Sequence, residues 1–452
     1  MFDMIAALKS LRIGCAASSL LLVILAAGSP AHAQYVDYPV HDAPPKSIKI
    51  SEQRFWLADF EVRGRTEDQT SLNYVRNDNE IYELTRIRGG INLRPASWVS
   101  GYLQFHDTHA LNLALASTAS NMRDSFDLRQ GYLDLHYRPV HFVVGRQELK
   151  IGDERVVGLS DWADNSRSWD GFDLKFGTKN RIELFSTSVV VIHATSLDKH
   201  GAGLTFHGAT AQLTSLLPNT TIVPFVLLRR LPRVLSQQSV YGTENEVTTG
   251  MYAAGKLPHG FEYATTGTLQ RGSYSNDSIH AGSGIVKVGY TANRLPWTPR
   301  IQGEYDYATG NPHRNTLRIG TNDQIYPSNH NAFGFVDLFG FENLKQVRAH
   351  LEMKPAKTLS LLFQAGSLHL TTVRDGLYTS SGSALIKAPA AGFASDDIGT
   401  QFDATAKFIV HKDLVVATGA SHLFPGALMT HNGHGAPLTL AYFSLKYRFT
   451  LQ

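Results

Sequence analysis

The chain has 452 residues, with 42 Lys and Arg against 39 Asp and Glu, a formal charge of +3. So even a balance leaves no basic footprint for nucleic acid, and no nucleic-acid partner is expected. The only cysteine is Cys15, in the first apolar stretch, so the rest of the chain has no thiol for a disulfide framework, a thiolate metal site or a cysteine nucleophile.

Lys9 and Arg12, the mostly apolar run from Ile13 to Gly28 and the small-x-small triplet Ala31-His32-Ala33 predict a cleaved secretory leader over residues 1–33. No later stretch holds the roughly 18 consecutive apolar residues that a membrane helix needs. Residues 34–51, with Pro39, Pro44 and Pro45, read as a polar periplasmic lead-in. From 52 to 452 the pattern is a repeated hairpin rhythm of period 2, the mark of strands with one apolar and one polar face.

The first strand, near 54–65, sets Trp56, Ala58, Phe60 and Val62 against Asp59, Glu61, Arg63 and Arg65. The second, near 80–94, places Ile87, Gly89, Ile91 and Leu93 outward and Arg86, Arg88 and Asn92 inward. The third turns Val99, Gly101, Leu103 and Phe105 outward. Residues 126–176 supply the fourth to sixth strands. In this stretch a tight turn at Arg138-Pro139-Val140-His141 is followed by a long polar loop, Gly152 to Arg167, expected outside the cell. Further strands are predicted near 182–191, 201–217 and 222–229; Pro224 conflicts with the last, because proline cannot donate to a ladder. Others follow near 246–257, 261–271, 286–290, 300–307, 346–353 and 401–408, with shorter-signal strands between. The last strand is the cleanest, alternating Ala441, Phe443, Leu445, Tyr447 and Phe449 with Tyr442, Ser444, Lys446, Arg448 and Thr450.

The predicted fold is all-β: a transmembrane antiparallel β-barrel of about 18 strands, with short periplasmic turns and long extracellular loops. An even count puts both ends of the chain on the side of the short turns. Hydrocarbon offers backbone groups no partner, and only a closed sheet satisfies them all. Trp98 and Trp297 at short turns, and Trp162 and Trp169 beside the long loop, fit two interfacial belts. The expected location is the outer membrane, with its lipid and its barrel-assembly machinery as partners.

Gly145-Arg146-Gln147-Glu148-Leu149, Gly152-Asp153-Glu154-Arg155-Val156-Val157-Gly158, Asp161-Trp162 and Arg167-Ser168-Trp169-Asp170-Gly171 together resemble the alginate-export family of outer-membrane barrels. Tyr326-Pro327-Ser328-Asn329-His330, Phe335-Val336-Asp337-Leu338-Phe339-Gly340, Lys354-Pro355 and Ser421-His422 extend the resemblance over most of the chain. It implies an 18-stranded barrel with a positive lumen through which an anionic polysaccharide leaves the cell.

Carrying a polyuronate requires repeated, weak replacement of carboxylate hydration by cations, a task suited to the guanidinium fork. Arg86, Arg88, Arg129, Arg146 and Arg348 are the pore-lining candidates for an anionic polysaccharide or small anions. Carboxylates such as Glu61, Glu148, Glu304, Asp306 and Asp403 share that face. The alternative is therefore a general diffusion porin of the same fold, whose arginines pair across the wall. Asp153, Glu154, Asp161, Asp164 and Asp170 read as a solvated loop and match no EF-hand spacing. No catalytic motif, metal site or cofactor is expected, and no enzymatic activity.

Overall fold

The computed structural model describes residues 56–451, apart from 72, 73, 75, 77, 114–121, 314 and 315. The predicted leader (1–33) and lead-in (34–51) lie outside the described residues. Eighteen long strands close into an antiparallel barrel. They are β1 (Trp56–Thr70), β2 (Glu80–Ala96), β3 (Val99–Leu111), β4 (Asp124–Tyr137), β5 (Val140–Gln147), β6 (Trp169–Phe176), β7 (Arg181–Val191), β8 (Thr205–Gln212) and β9 (Thr220–Leu235). The second half comprises β10 (Tyr241–Lys256), β11 (Phe261–Tyr274), β12 (Asp277–Thr291), β13 (Arg300–Ala308), β14 (Leu344–Ala356), β15 (Leu359–Leu370), β16 (Asp397–His411), β17 (Leu414–Pro425) and β18 (Leu438–Leu451). Each strand pairs with its successor. β18 closes on β1 in an unbroken register from Ala58–Leu451 to Thr70–Thr439.

Burial decides which way the two faces point. Leu133, Val288, Ile301 and Val347 are each more than half exposed, whereas Glu61, Arg86, Glu304 and Asp306 are at most 4% exposed. An apolar outside around a charged inside inverts a soluble sheet. It is the arrangement that a hydrocarbon surround and a polar lumen require. The turns at 97–98, 138–139, 357–358 and 412–413 are two residues long and share one end with the longer turns 177–180, 213–219, 257–260 and 292–299. The other end carries the long connections 148–168, 192–204, 309–343, 371–396 and 426–437. Two connections there, 236–240 and 275–276, are short, so the alternation of turn lengths is not complete.

Two local conflicts resolve in the register. Pro224 lies where the β8–β9 ladder stops at Thr210–Phe225; pairing resumes as an isolated bridge, Leu213–Ile222. In β4 the register to β3 slips between Gln130–Gln104 and Leu128–Phe105. This bulge inserts an extra residue, so Arg129 and Gln130 are both buried although strict alternation would put them on opposite faces.

The long loop between β5 and β6, expected outside the cell, folds back into the barrel. Leu149, Ile151, Val157 and Leu159 join Phe185, Phe206, Val223, Phe225 and Leu227 in one buried cluster. The inner wall of β7–β9 is thus apolar where a polar face was expected. Once the loop covers that wall, the hydrophobic effect favours apolar residues there. The same folding corrects the second aromatic belt. Trp169 is fully buried, and Trp162 stacks on His330 at 3.7 Å between ring centroids. Trp98 and Trp297, at the short turns, are more than half exposed as an interfacial belt requires.

Candidate functional site

The inner face of β1 and β2 concentrates guanidinium groups by register alone. Arg63 stands opposite Arg86, and Glu61 opposite Arg88. Four arginines, Arg63, Arg65, Arg86 and Arg88, fall on two adjacent strands facing inward. Like charges so placed repel unless carboxylates intervene. The wall supplies Glu61, whose carboxylate accepts from Arg86 Nε at 2.9 Å, and Glu67, which accepts from Arg65 Nε at 2.6 Å.

The remaining carboxylates come from the inserted loop. Asp161 accepts from Arg86 at 3.0 Å and from Arg88 at 2.9 Å. Asp164 pairs with Arg63. Arg63 also donates to the Asp161 and Trp162 carbonyls at 2.9 and 3.0 Å, and Arg65 to the Trp162 carbonyl at 2.7 Å. The Arg65 guanidinium lies 3.8 Å over the Trp162 ring, and Arg88 reaches Ser166 Oγ at 2.7 Å. Burial alone would raise the Asp161 carboxyl; Arg86, Arg88 and Arg63 outweigh it and hold the group well below the usual carboxylate range. Asp164 is likewise lowered against its burial, by Arg63, Arg65 and Arg86. Two of the four carboxylates around this arginine cluster therefore belong to a loop and not to the wall.

Across the lumen the charges are reversed. Loop residue Arg155 pairs with Glu304 and, at 3.3 Å, with Asp306, both on the inner face of β13. Despite burial, these carboxylates hold its guanidinium firmly protonated. The loop's main attachments fall in three regions of the wall: basic β1–β2 with its neighbours, apolar β7–β9, and β12–β13, where Arg155 meets Glu304 and Asp306 and Asp153 accepts from Lys287 at 3.1 Å. They lie about six strands apart in a ring of eighteen. Residues of the 309–343 connection brace it, since Arg167 donates to the Gly158 and Tyr326 carbonyls at 2.7 and 2.6 Å.

Each sequence candidate has a definite place. Arg86 and Arg88 belong to the basic cluster. Arg129 is buried beside it, bonded to Gln104 at 2.6 Å and paired with Glu148. Arg348 lies on the far wall, donating to the Ala332 carbonyl and to Gln364, each at 2.6 Å. Arg146 is placed differently from expectation. It shares the parity of Phe142 and Val144, which are exposed on the outer face, and it bonds Asp170 of β6 at 2.8 Å. Its other contacts are the Leu128 carbonyl and, in the 192–204 connection, the Asp198 carbonyl. Arg146 therefore ties together the short top of β5 and its neighbours. Alternation counted from His141 through Val143 already gives this parity.

Sequence reasoning missed Asp161, Asp164 and Arg155 as lumen residues. It also missed Arg229, buried between Glu244 and Asp323. Beside the cluster, across the closing seam, Lys446 of β18 stands opposite Arg63 and Arg448 opposite Glu61, with which it pairs; Lys407 of β16 also faces inward.

The sequence model of the alginate-export family, described as "Alginate export", matches residues 54–438. No curated protein matches the chain. Among solved structures, OpdO of Pseudomonas aeruginosa is similar with a TM-score of 0.60 and 12% identity, over 88% of this chain and 98% of that one. OccAB2 of Acinetobacter baumannii gives a TM-score of 0.60 at 10% identity, over 88% and 98%. The outer membrane protein opdK of Pseudomonas aeruginosa gives 0.59 at 9% identity, over 88% and 100%. At such identities the likeness is one of fold.

Proposed function

The chain belongs to the alginate-export family of outer-membrane channels, and from that premise we propose that it passes an anionic polysaccharide, or a smaller solute bearing carboxylates, by passive diffusion. The supporting observation is the basic cluster of Arg63, Arg65, Arg86 and Arg88, half of whose neutralising carboxylates sit on the inserted loop. A uronate carboxylate has the same chemistry as Asp161 and Asp164. The proposed step is exchange: solute carboxylates replace the two aspartates one at a time. The guanidinium groups are then never left uncompensated in the low-dielectric interior. Beside the cluster, Lys446 opposite Arg63, Arg448 opposite Glu61, and Lys407 two strands further round continue the cationic face around the lumen. Arg129 and Arg348 contribute field and shape through their own partners. No bond of the solute is made or broken.

The second reading, a general diffusion porin, is favoured by the Arg129–Glu148 pair and by the closeness of every cluster arginine to a carboxylate. Reconstitution into a planar bilayer under a salt gradient separates the two. Anion preference together with block by added polyuronate is the expected result. Cation preference without block would leave only the porin reading.

A further inference from the structure

A second polar constellation lies at the short-turn end of the lumen, away from the arginine cluster. Asp134 and His136 stand two residues apart on the inner face of β4, and His141 of β5 is paired directly with His136. The His136 N–H donates to the Trp98 carbonyl at 2.8 Å, on the β3 side. His136 and His141 are therefore the non-hydrogen-bonded kind of antiparallel pair, whose side chains approach most closely. Their rings stack with centroids 5.4 Å apart at 18°. His141 Nδ1 is 3.1 Å from the Asp134 carboxylate, and His136 Nδ1 is 3.8 Å from it. One ligand-capable atom from each of the three lies within 4.8 Å of the other two.

We propose that Asp134, His136 and His141 bind a divalent transition-metal cation of the Zn2+ type at the periplasmic mouth of the channel. Two imidazole nitrogens and one carboxylate oxygen are a borderline donor set. It suits Zn2+, Ni2+ or Cu2+ and is too poor in oxygen for Ca2+. Tetrahedral ligands at about 2.1 Å from the metal stand roughly 3.4 Å from one another, so the observed triangle closes with small side-chain rotations. His141 has room for this, with its side chain 44% exposed. The one cation facing the triad is itself neutralised. Lys175 of β6 lies opposite His141, but its ammonium is drawn to Asp173 at 2.9 Å. Ser100 of β3, opposite Asp134, is uncharged. Three protein ligands leave at least one coordination position for water or a solute carboxylate. A bound ion also converts an acidic patch beside the anion path into a positive one. This site stands independently of the solute that the channel carries.

The test is calorimetric titration of the purified, untagged mature protein in detergent with ZnCl2. Asp134→Asn, His141→Ala and, as a control, His259→Ala are titrated alongside; His259 is exposed in a different short turn. Heat-modifiable migration in SDS gels verifies that each variant is a closed barrel. Wild type and His259→Ala are expected to bind one more Zn2+ per chain than the other two, or to bind it at least ~10-fold more tightly. Equal stoichiometry and affinity in Asp134→Asn and wild type would overturn the proposal, whatever His141→Ala does.

Discussion

Arg86 is wholly buried, and its guanidinium bridges wall and loop, holding Glu61 on one side and Asp161 on the other. Removing an arginine from such a place leaves buried carboxylates facing each other, which costs about 3–5 kcal/mol and confounds any functional reading. The informative change is on the loop. Asp161→Asn with Asp164→Asn keeps shape and hydrogen bonding while deleting two negative charges beside four guanidinium groups. The double variant is expected to show a reversal potential shifted toward anions in a bilayer; an unchanged potential would mean that the loop charges play no part in selection. The same two carboxyls set a pH dependence. Their folded values lie below the ordinary ones, so their contribution is fully present above about pH 4 and is lost only as pH falls through the depressed values. The difference in conductance between wild type and the double variant is therefore expected to be constant above about pH 4 and to close under more acid conditions, as measured on single channels.

At the scale of the element, the strands could be read from sequence and the loop could not. Alternation is local, so Ile87, Ile91 and Leu93 against Arg86, Arg88 and Asn92 define β2 without any knowledge of its partners. The final strand fixed its own faces from Ala441 to Thr450 in the same way. The 148–168 connection is held by pairs such as Arg63–Asp164 and Arg155–Glu304, which join residues far apart in the chain and leave no local periodicity. Two signals were present nonetheless. Leu149, Ile151, Val157 and Leu159 are too apolar for a solvated loop. Phe185, Phe206, Phe225 and Leu227 make β7–β9 apolar on both faces, as a covered wall must be. Arg146 is a smaller case, since counting parity along β5 places it outward whatever its charge. The apolar anchor is testable on its own. Val157→Asp places a carboxylate where the side chain is fully buried, a cost of several kcal/mol that falls on the loop's attachment and not on the strand ladder. Single-channel records are expected to show larger and noisier currents, with heat-modifiability of the barrel unchanged.

For the whole molecule, function rests on the sum of charges along the inner surface. Lys407, Lys446 and Arg448 lie on β16 and β18, next to the closing seam with β1, and so adjoin the arginine cluster instead of facing it. With the arginine cluster they extend the cationic side of the lumen, three to five strands from the acidic β13 wall that holds Arg155. Lys446→Glu reverses the charge directly across the seam from Arg63. It is expected to lower anion preference and weaken polyuronate block, read as a reversal potential and a blocking concentration.

The three attachments of the inserted loop are spaced like the feet of a tripod. A body fixed at one point swings, and at two points it rocks about the line joining them. Fixed at three points around a ring, it has no soft motion left until a foot lifts. The feet here differ in kind, one acidic on a basic wall, one apolar, one basic on an acidic wall, and no single condition releases all three. Opening is then a series of partial clearances, each beside a different wall. The current through one channel is expected to climb in several discrete levels, and an anionic blocker to remove the level beside β1–β2 first.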